Sequence, residues 1–185
     1  MTNAIGHAQR ARLPFRRVNR PGSADYDPAL QRHHLLPRQL ISDRCFGRLF
    51  GALDSRRLGF DDFRRNGVLL PSRAEAARRL GLPLHRGPHR AYNAMVIERV
   101  GMIEAQWVAA RPRTPVSAGE DALFRLALLQ RALRRRLLDP PRAPLRLNRH
   151  DPVGTGFDFA DLDAMVDQLW GATQSTLAES SSFAA

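Results

Sequence analysis

The sequence predicts one mostly helical domain of the α+β class. Two short apolar runs, at residues 35–37 and 68–71, end in proline, which indicates extended segments because the residue before proline is disfavoured in the helical region. Longer stretches carry apolar residues at spacings of three and four, the pattern of amphipathic helices. At 185 residues and 43% hydrophobic, the chain is long enough for one packed domain with an appendage.

The chain is strongly basic. It has 29 Lys and Arg residues, all of them arginine, against 18 Asp and Glu residues, so its formal net charge is +11. Such an excess indicates a polyanionic partner, and nucleic acid is the usual one, because each neutralised phosphate releases counterions and a guanidinium binds two phosphate oxygens at once. A GC-rich genome would explain arginine in place of lysine, but not the excess of base over acid.

The residue content excludes several classes of protein. The single cysteine, Cys45, rules out a disulfide framework and a zinc site built on Cys-x-x-Cys pairs. No apolar run is long enough for a signal-peptide core or a membrane span. We therefore expect a soluble protein that is made in a cytoplasm and has no membrane partner.

The first half of the chain is predicted as a basic flexible arm over residues 1–29, then a strand, a helix and a second strand. Two consecutive histidines lie on or beside the first strand, and apolar spacing predicts one helix from Arg38 to about Leu53. Asn66-Gly67 is a turn signal that leads into the second strand.

Two further helices are expected in the middle of the chain. Ser72 and Glu75 have capping-box spacing and Gly81 suits a helix end, which predicts a helix over residues 73–80. The next begins near Pro88 and runs to about Ala110. Its apolar stripe is Tyr92, Val96, Val100, Ile103 and Trp107.

The last part of the chain, residues 111–171, is predicted as a helical extension. Residues 111–115 form a linker, and Ser117 and Glu120 form a capping box that opens a helix to about Leu138. Its apolar face would be Leu123, Phe124, Leu126, Ala127, Leu129 and Leu133. An acidic helix over about 159–170 would cover part of the basic surface or bind a partner, and residues 172–185 form a flexible tail.

Histidine is concentrated in two motifs, at residues 33–34 and 85–89, which contain four of the six. A neutral imidazole binds a divalent metal or accepts a proton near neutral pH, so four of them gathered by folding would make a hydrolytic site. Pro88 prevents one helix from carrying both His85 and His89, at a cost of roughly 3 kcal/mol, so His85 is expected in the loop before the helix. His89 is placed in its first turn, and a Gly-Pro bend would let the two rings converge. His7 and His150 are interpreted as surface or satisfied core residues.

Three motifs occur in order between residues 30 and 105: His33-His34 with Leu-Leu-Pro, Asn66-Gly67-Val68 with Leu70-Pro71, and His85-Arg-Gly-Pro-His89 with Tyr92-Asn93. In this order they resemble the AHH nuclease family of the HNH/endonuclease VII superfamily, often found as bacterial toxin modules. The resemblance implies a small ββα-metal, treble-clef-like core over residues 30–110, in which a hairpin carries the first motif and a helix the last. Arg32 stands where the family name refers to alanine.

The resemblance also implies a role for each motif histidine. His33 would ligate one divalent metal, and the other three would ligate it or activate water. We assign His34 as the general base, His33 and His89 to the metal, and His85 as a further ligand or a group that positions water. Phosphodiester hydrolysis needs a water, a proton acceptor for it, and positive charge near the phosphate. The metal is left open among Mg, Mn, Zn and Ni.

Four other residues complete the predicted site. Asn66 is expected to shape the hairpin or orient the base. Arg32, Arg86 and Arg90 either clamp phosphate or are ordinary solvated charges.

The prediction is thus a metal-dependent endonuclease that cleaves nucleic acid, with DNA favoured over RNA. It is expected in the cytoplasm or, as a bacterial toxin or effector, secreted into target cells, where an immunity or partner protein would bind it. The alternatives are a catalytically silent nucleic-acid-binding protein of the same fold and an adaptor protein of a phage or secretion system.

Overall fold

The computed structural model describes residues 11–42, 44, 46–87, 89–139, 147, 151, 166 and 168. Over these residues the fold is α+β and mostly helical, which confirms the predicted class. The strands are β1 (Leu30–His34) and β2 (Gly67–Pro71). The α-helices are α1 (Gly47–Ala52), α2 (Ser55–Leu58), α3 (Phe63–Asn66), α4 (Ala74–Leu80), α5 (Arg90–Ala110) and α6 (Pro115–Leu138), with 3-10 turns at Phe15–Arg17 and Arg38–Ile41.

The two strands pair antiparallel, with His33 opposite Val68 and His34 opposite Gly67. They are not joined by the predicted Asn66-Gly67 turn, because residues 35–66 lie between them and Asn66 is the last residue of α3. Gly67 is extended, at φ −117° and ψ 152°. A side chain there would collide with the ring of Phe63, so the glycine is needed for space and not for a turn.

The single helix predicted over residues 38–53 is wrong. The chain forms the 3-10 turn Arg38–Ile41, becomes extended at Ser42 with ψ 148°, and enters a helix only at Gly47. The Phe46 amide donates to the Leu40 carbonyl and closes the intervening loop. The apolar spacing located most of the buried residues, although Ile41 is 41% exposed, and it did not show that the helix is interrupted. Cys45 lies outside the described residues.

Helix α4 is confirmed, and it ends as expected at Gly81, which has a left-handed φ of 63°. Its predicted capping box is wrong, because Arg73 precedes the helix and the Ser72 hydroxyl donates to the Ala29 carbonyl instead.

Helix α6 begins at Pro115, ahead of its predicted capping box, so Ser117 lies inside the helix. Its buried residues include Ala118, Ala122, Leu126, Leu129, Leu133 and Leu137, whereas Phe124, predicted on that face, is 38% exposed. Helix α5 begins at Arg90, and its predicted stripe is buried except for the partly buried Ile103. The two long helices pack together and share one core with Leu35, Leu36 and Val68 from the sheet region.

Residues 11–29 are folded, so the predicted flexible arm is wrong for this part. Phe15 is buried, and Pro14 forms a β-bridge with Asp62. Asn19 adopts a left-handed φ of 46°, which asparagine tolerates, and its side chain donates to the carbonyls of Asp27 and Leu30. The segment thereby leads directly into β1.

The predicted helix over residues 159–170 lies outside the described residues except for Val166 and Gln168, which are helical. The predicted tail lies wholly outside them. Within the described part of the chain, no helix has both the length and the apolar character to cross a bilayer.

Candidate metal centre

Three of the four motif histidines meet in the structure. His33 on β1, His85 in the loop after α4 and His89 before α5 each offer a ring nitrogen, and these atoms lie within 4.8 Å of one another. The ring centroids of His33 are 4.8 Å from His85 and 5.4 Å from His89, and those of His85 and His89 are 4.4 Å apart. Two motifs separated by fifty residues thus form one cluster, hereafter the His33/His85/His89 cluster.

The loop between α4 and α5 brings its two histidines to β1 without a shared helix. The His85 amide donates to the Pro71 carbonyl at 2.7 Å, which ties the loop to the end of β2. Gly87 then turns the chain back with a φ of 81°. His89 precedes α5 instead of lying in its first turn, at φ −99° and ψ 59°. Pro88 lies outside the described residues.

His33 is the buried member of the cluster. Its side chain is 4% exposed, and its Nε2 atom has no hydrogen-bond partner among the described residues. A buried imidazole nitrogen left without a partner is costly, so native structures normally satisfy such atoms with protein, water or a metal ion. The neighbouring ring nitrogens of His85 and His89 make a divalent metal a fitting partner.

The outer nitrogens of the other two rings contact oxygen acceptors. His85 Nδ1 lies 3.2 Å from Oε1 of Gln31, and His89 Nδ1 lies 3.4 Å from the Leu147 carbonyl oxygen. Because an amide oxygen only accepts, each Nδ1 would carry the proton and donate. The lone pair of each neutral ring is then on Nε2, which is the tautomer that a metal requires.

Burial keeps the cluster neutral. It lowers the pKa of His33 well below its usual value, and the nearby His85 and His89 lower that pKa further. Burial, followed by the effect of His89, lowers the pKa of His85 to about 4. Burial also lowers the pKa of His89, partly offset by the Leu147 carbonyl. At neutral pH all three imidazoles are therefore uncharged, the form that binds a metal.

Tyr92 supports the cluster from α5. Its ring centroid is 5.0 Å from that of His33, and its hydroxyl donates to the Leu35 carbonyl at 2.7 Å. Burial raises the pKa of the Tyr92 phenol, so it stays neutral. The sequence predicts Tyr92 as a core residue of α5 and as part of the third motif, without a role in the site, and its position about one turn after His89 is the signal that puts it near the cluster.

His34 is not brought to the cluster. Successive side chains of a strand point to opposite faces, so His34 lies across β1 from His33. Its ring stacks on Phe15, with centroids 3.8 Å apart and planes 3° from parallel. Burial, and then the charge of Arg38, lowers the pKa of His34, against a smaller raising effect of Asp61.

Asn66 is fully buried and its contacts are internal to the fold. Its Oδ1 accepts from the Leu36 amide at 2.8 Å and from Nε2 of Gln130 at 3.2 Å, while its Nδ2 donates to the carbonyls of Leu36 and Phe60. Its own carbonyl accepts from the Leu35 amide at 2.8 Å. Asn66 therefore holds the two residues that follow His34, and α6 reaches it through Gln130.

The three predicted arginines lie in different surroundings. The Arg32 guanidinium donates to the Phe15 carbonyl at 2.8 Å, on the His34 side of β1. Arg86 and Arg90 are exposed next to the two loop histidines. An open groove beside the cluster includes Gln31 and Arg86 in its lining. His7 and His150 lie outside the described residues.

Comparison with known proteins identifies the family. The sequence model of one protein family matches residues 15–131. This family is AHH, a nuclease family of the HNH/ENDO VII superfamily with conserved AHH. Comparisons with curated proteins and with solved structures gave no match. The matched region contains the whole His33/His85/His89 cluster and His34, and it extends beyond the predicted core at both ends. Because it covers more than half of the chain, the protein belongs to the AHH nuclease family of the HNH/endonuclease VII superfamily.

Proposed function

We propose that this protein is a metal-dependent endonuclease that hydrolyses phosphodiester bonds of nucleic acid. The observation that carries the proposal is the buried Nε2 of His33, which has no hydrogen-bond partner in the described part of the chain and lies within a cluster of three neutral imidazoles. The cluster lies inside a region that belongs to a nuclease family.

We assign the metal to His33, His85 and His89, which makes His85 a ligand instead of a group that positions water. Three protein nitrogens leave coordination positions open for water and a phosphate oxygen. A bound divalent ion would supply positive charge for the phosphate and the leaving oxygen. The contacts of Gln31 and Leu147 hold the outer ring nitrogens, so the protein itself orients the ligands.

We propose His34 as the general base, on the other face of β1. In an in-line displacement the attacking water and the leaving oxygen lie on opposite sides of phosphorus. His34 and the proposed metal ligands lie on opposite faces of β1. They would therefore lie on opposite sides of a scissile phosphate that is bound against the end of β1. The lowered pKa of His34 supports the role, because the ring is neutral and able to accept a proton at neutral pH.

Nucleic acid is the proposed substrate, with DNA favoured over RNA. The net charge of +11 supports binding to a phosphate backbone. Arg86 in the groove and Arg90 beside His89 are exposed, so we place them along the substrate path. Arg32 is assigned to holding Phe15, because its guanidinium already donates to that carbonyl. Asn66 is assigned to holding the chain after His34.

The proposal is tested with purified, metal-stripped protein, plasmid DNA and a structured RNA. Cleavage should require added Mn²⁺, Mg²⁺, Zn²⁺ or Ni²⁺, and EDTA should abolish it. A His33→Ala variant purified in parallel controls for contaminating nuclease. Undiminished cleavage in EDTA would overturn the metal-dependent mechanism. Binding without cleavage under every metal would favour the silent nucleic-acid-binding protein instead.

A toxin or effector role, with an immunity partner, is proposed from the family resemblance alone. Induced expression in bacteria should then arrest growth, and the His34→Ala variant should relieve the arrest. If cells that express the parent and cells that express the variant grow equally well at matched expression levels, this role is contradicted.

A further inference from the structure

Two residues beyond the family region contact the loop that carries His85 and His89. The family match ends at residue 131, inside α6. Leu147 and Asp151 lie further along the chain, and both are buried, at 4% and 8% exposed. Their position was not predicted, because no local pattern links them to a loop about sixty residues earlier.

The two contacts fall at the two ends of the histidine loop. Asp151 Oδ2 accepts from the amide of Leu84, the residue before His85, at 2.9 Å. The Leu147 carbonyl oxygen lies 3.4 Å from Nδ1 of His89. The loop between α4 and α5 is thus held at Leu84, next to His85, and at His89 by residues further along the chain.

The loop needs such support because its described residues have no regular hydrogen-bonding pattern of their own. Residues 82–86 are neither helix nor strand, and Gly87 permits the bend through a left-handed φ. A loop that is free to move would have to be ordered when the metal binds, and that cost would weaken binding. A buried carboxylate that accepts the Leu84 amide orders the loop in advance.

We propose that Asp151 is a positioning residue of the metal centre: with the Leu147 carbonyl, it holds the loop so that His85 and His89 face His33. This inference rests on the proposed function, since it concerns the same site. Asp151 acts through the loop and is not assigned as a ligand, because the grouped ring nitrogens come from the three histidines alone among the described residues.

The test is a Zn²⁺ titration by calorimetry of the full-length parent, Asp151→Ala, Asp151→Asn and Asp139→Ala. Asp151→Ala should weaken Zn²⁺ binding by about 10–100-fold, the range for lost support of a metal ligand. Asp151→Asn keeps an oxygen that accepts from Leu84 and should stay close to the parent. Asp139 is exposed, pairs with Arg135 and also lies beyond the family region, so Asp139→Ala removes the same charge and should change nothing.

The visible spectrum of bound Co²⁺ separates positioning from general stability, because its absorption depends on ligand geometry. It should change in Asp151→Ala and return in Asp151→Asn. Parental Zn²⁺ affinity in folded Asp151→Ala would overturn the proposal. An Asp151→Asn variant that binds Zn²⁺ as weakly as Asp151→Ala would also overturn the proposal. The charge of Asp151, and not its hydrogen bond, would then matter.

The parent provides a second measurement that does not depend on whether the variants fold. Coupling between sites is reciprocal, so a segment that favours metal binding must itself be stabilised by the metal. Saturating Zn²⁺ should slow amide hydrogen exchange in peptides that contain residues 147–151. Unchanged exchange there, with Zn²⁺ bound, would overturn this inference alone, whereas a parent that binds no metal would overturn the proposed metal site as well.

Discussion

The ring of His34 lies face to face on the ring of Phe15, with centroids 3.8 Å apart. Phe15 is also packed edge-on against Phe63 at 5.2 Å, and its carbonyl accepts from Arg32. The orientation of His34 therefore depends on a residue fifteen positions before β1. Phe15 is also the first residue of the family match.

If His34 is the base, Phe15→Leu should slow cleavage, because leucine fills space but offers no flat face to hold the imidazole. Misplacing a reacting group costs up to about 100-fold. Single-turnover rates measure the loss, and Phe15→Tyr, which keeps the ring, is the control. Zn²⁺ affinity should stay at the parental value in both variants. A parental rate in Phe15→Leu would contradict the positioning role.

The neighbours His33 and His34 should separate metal binding from proton transfer. His33→Ala should lose Zn²⁺ affinity, because it removes the buried imidazole that we propose as a ligand. His34→Ala should keep that affinity and lose roughly 10²–10⁴ in the rate of the chemical step. Each variant removes one imidazole from β1, so each is the control for the other. Loss of metal binding in His34→Ala and not in His33→Ala would reverse the two assignments.

Gln31→Ala should weaken Zn²⁺ binding about 10-fold, because His85 would lose the acceptor that keeps the proton on Nδ1. Gln31 is exposed, so the free energy of unfolding should change little. Calorimetry measures the affinity, and Gln31→Glu, which also presents an oxygen, is the matched control. Equal affinity in Gln31→Ala and the parent would show that the ring needs no such partner.

Without metal, the protein should lose stability as the pH falls from about 6.5 towards about 4. The unfolded histidine takes up a proton below about 6.5, whereas burial lowers the pKa of folded His85 to about 4. Between these values the unfolded state binds more protons, so stability falls with pH. Thermal denaturation in EDTA measures the effect, and His85→Gln should flatten its pH dependence. An unchanged pH dependence in His85→Gln would argue against a lowered pKa.

Asn66→Ala should lower the free energy of unfolding by about 2–5 kcal/mol. The substitution leaves the Leu36 amide and the carbonyls of Leu36 and Phe60 without their buried partner, and unmade hydrogen bonds of this kind cost about 1–3 kcal/mol each. Urea denaturation measures the loss, with the half-buried Asn93→Ala as a control. An Asn66→Ala variant of parental stability that cleaves slowly would instead favour a direct catalytic role.

Local signals predicted much of the fold. Proline after an apolar run marked the end of β2, a left-handed glycine marked the end of α4, and periodic apolar residues located α5 and α6. These predictions succeeded because each depends on the conformation of nearby residues. The predicted helix over residues 38–53 is wrong because apolar spacing indicates which side chains are buried and not whether the helix is continuous. A chain that turns at Ser42 buries most of the same residues, although not Ile41.

The sequence by itself determined that imidazoles able to bind a metal would lie on a strand and around a bend before a helix, since histidine pairs, glycine and proline are local features. Only the tertiary structure decided which imidazoles meet. Neighbouring residues on a strand face opposite ways, and the pairing of β1 with β2 turns His33 inward towards the loop and His34 outward to Phe15. The contacts of Leu147 and Asp151 could not be predicted either. A hydrogen bond between residues about sixty positions apart produces no local pattern in the sequence.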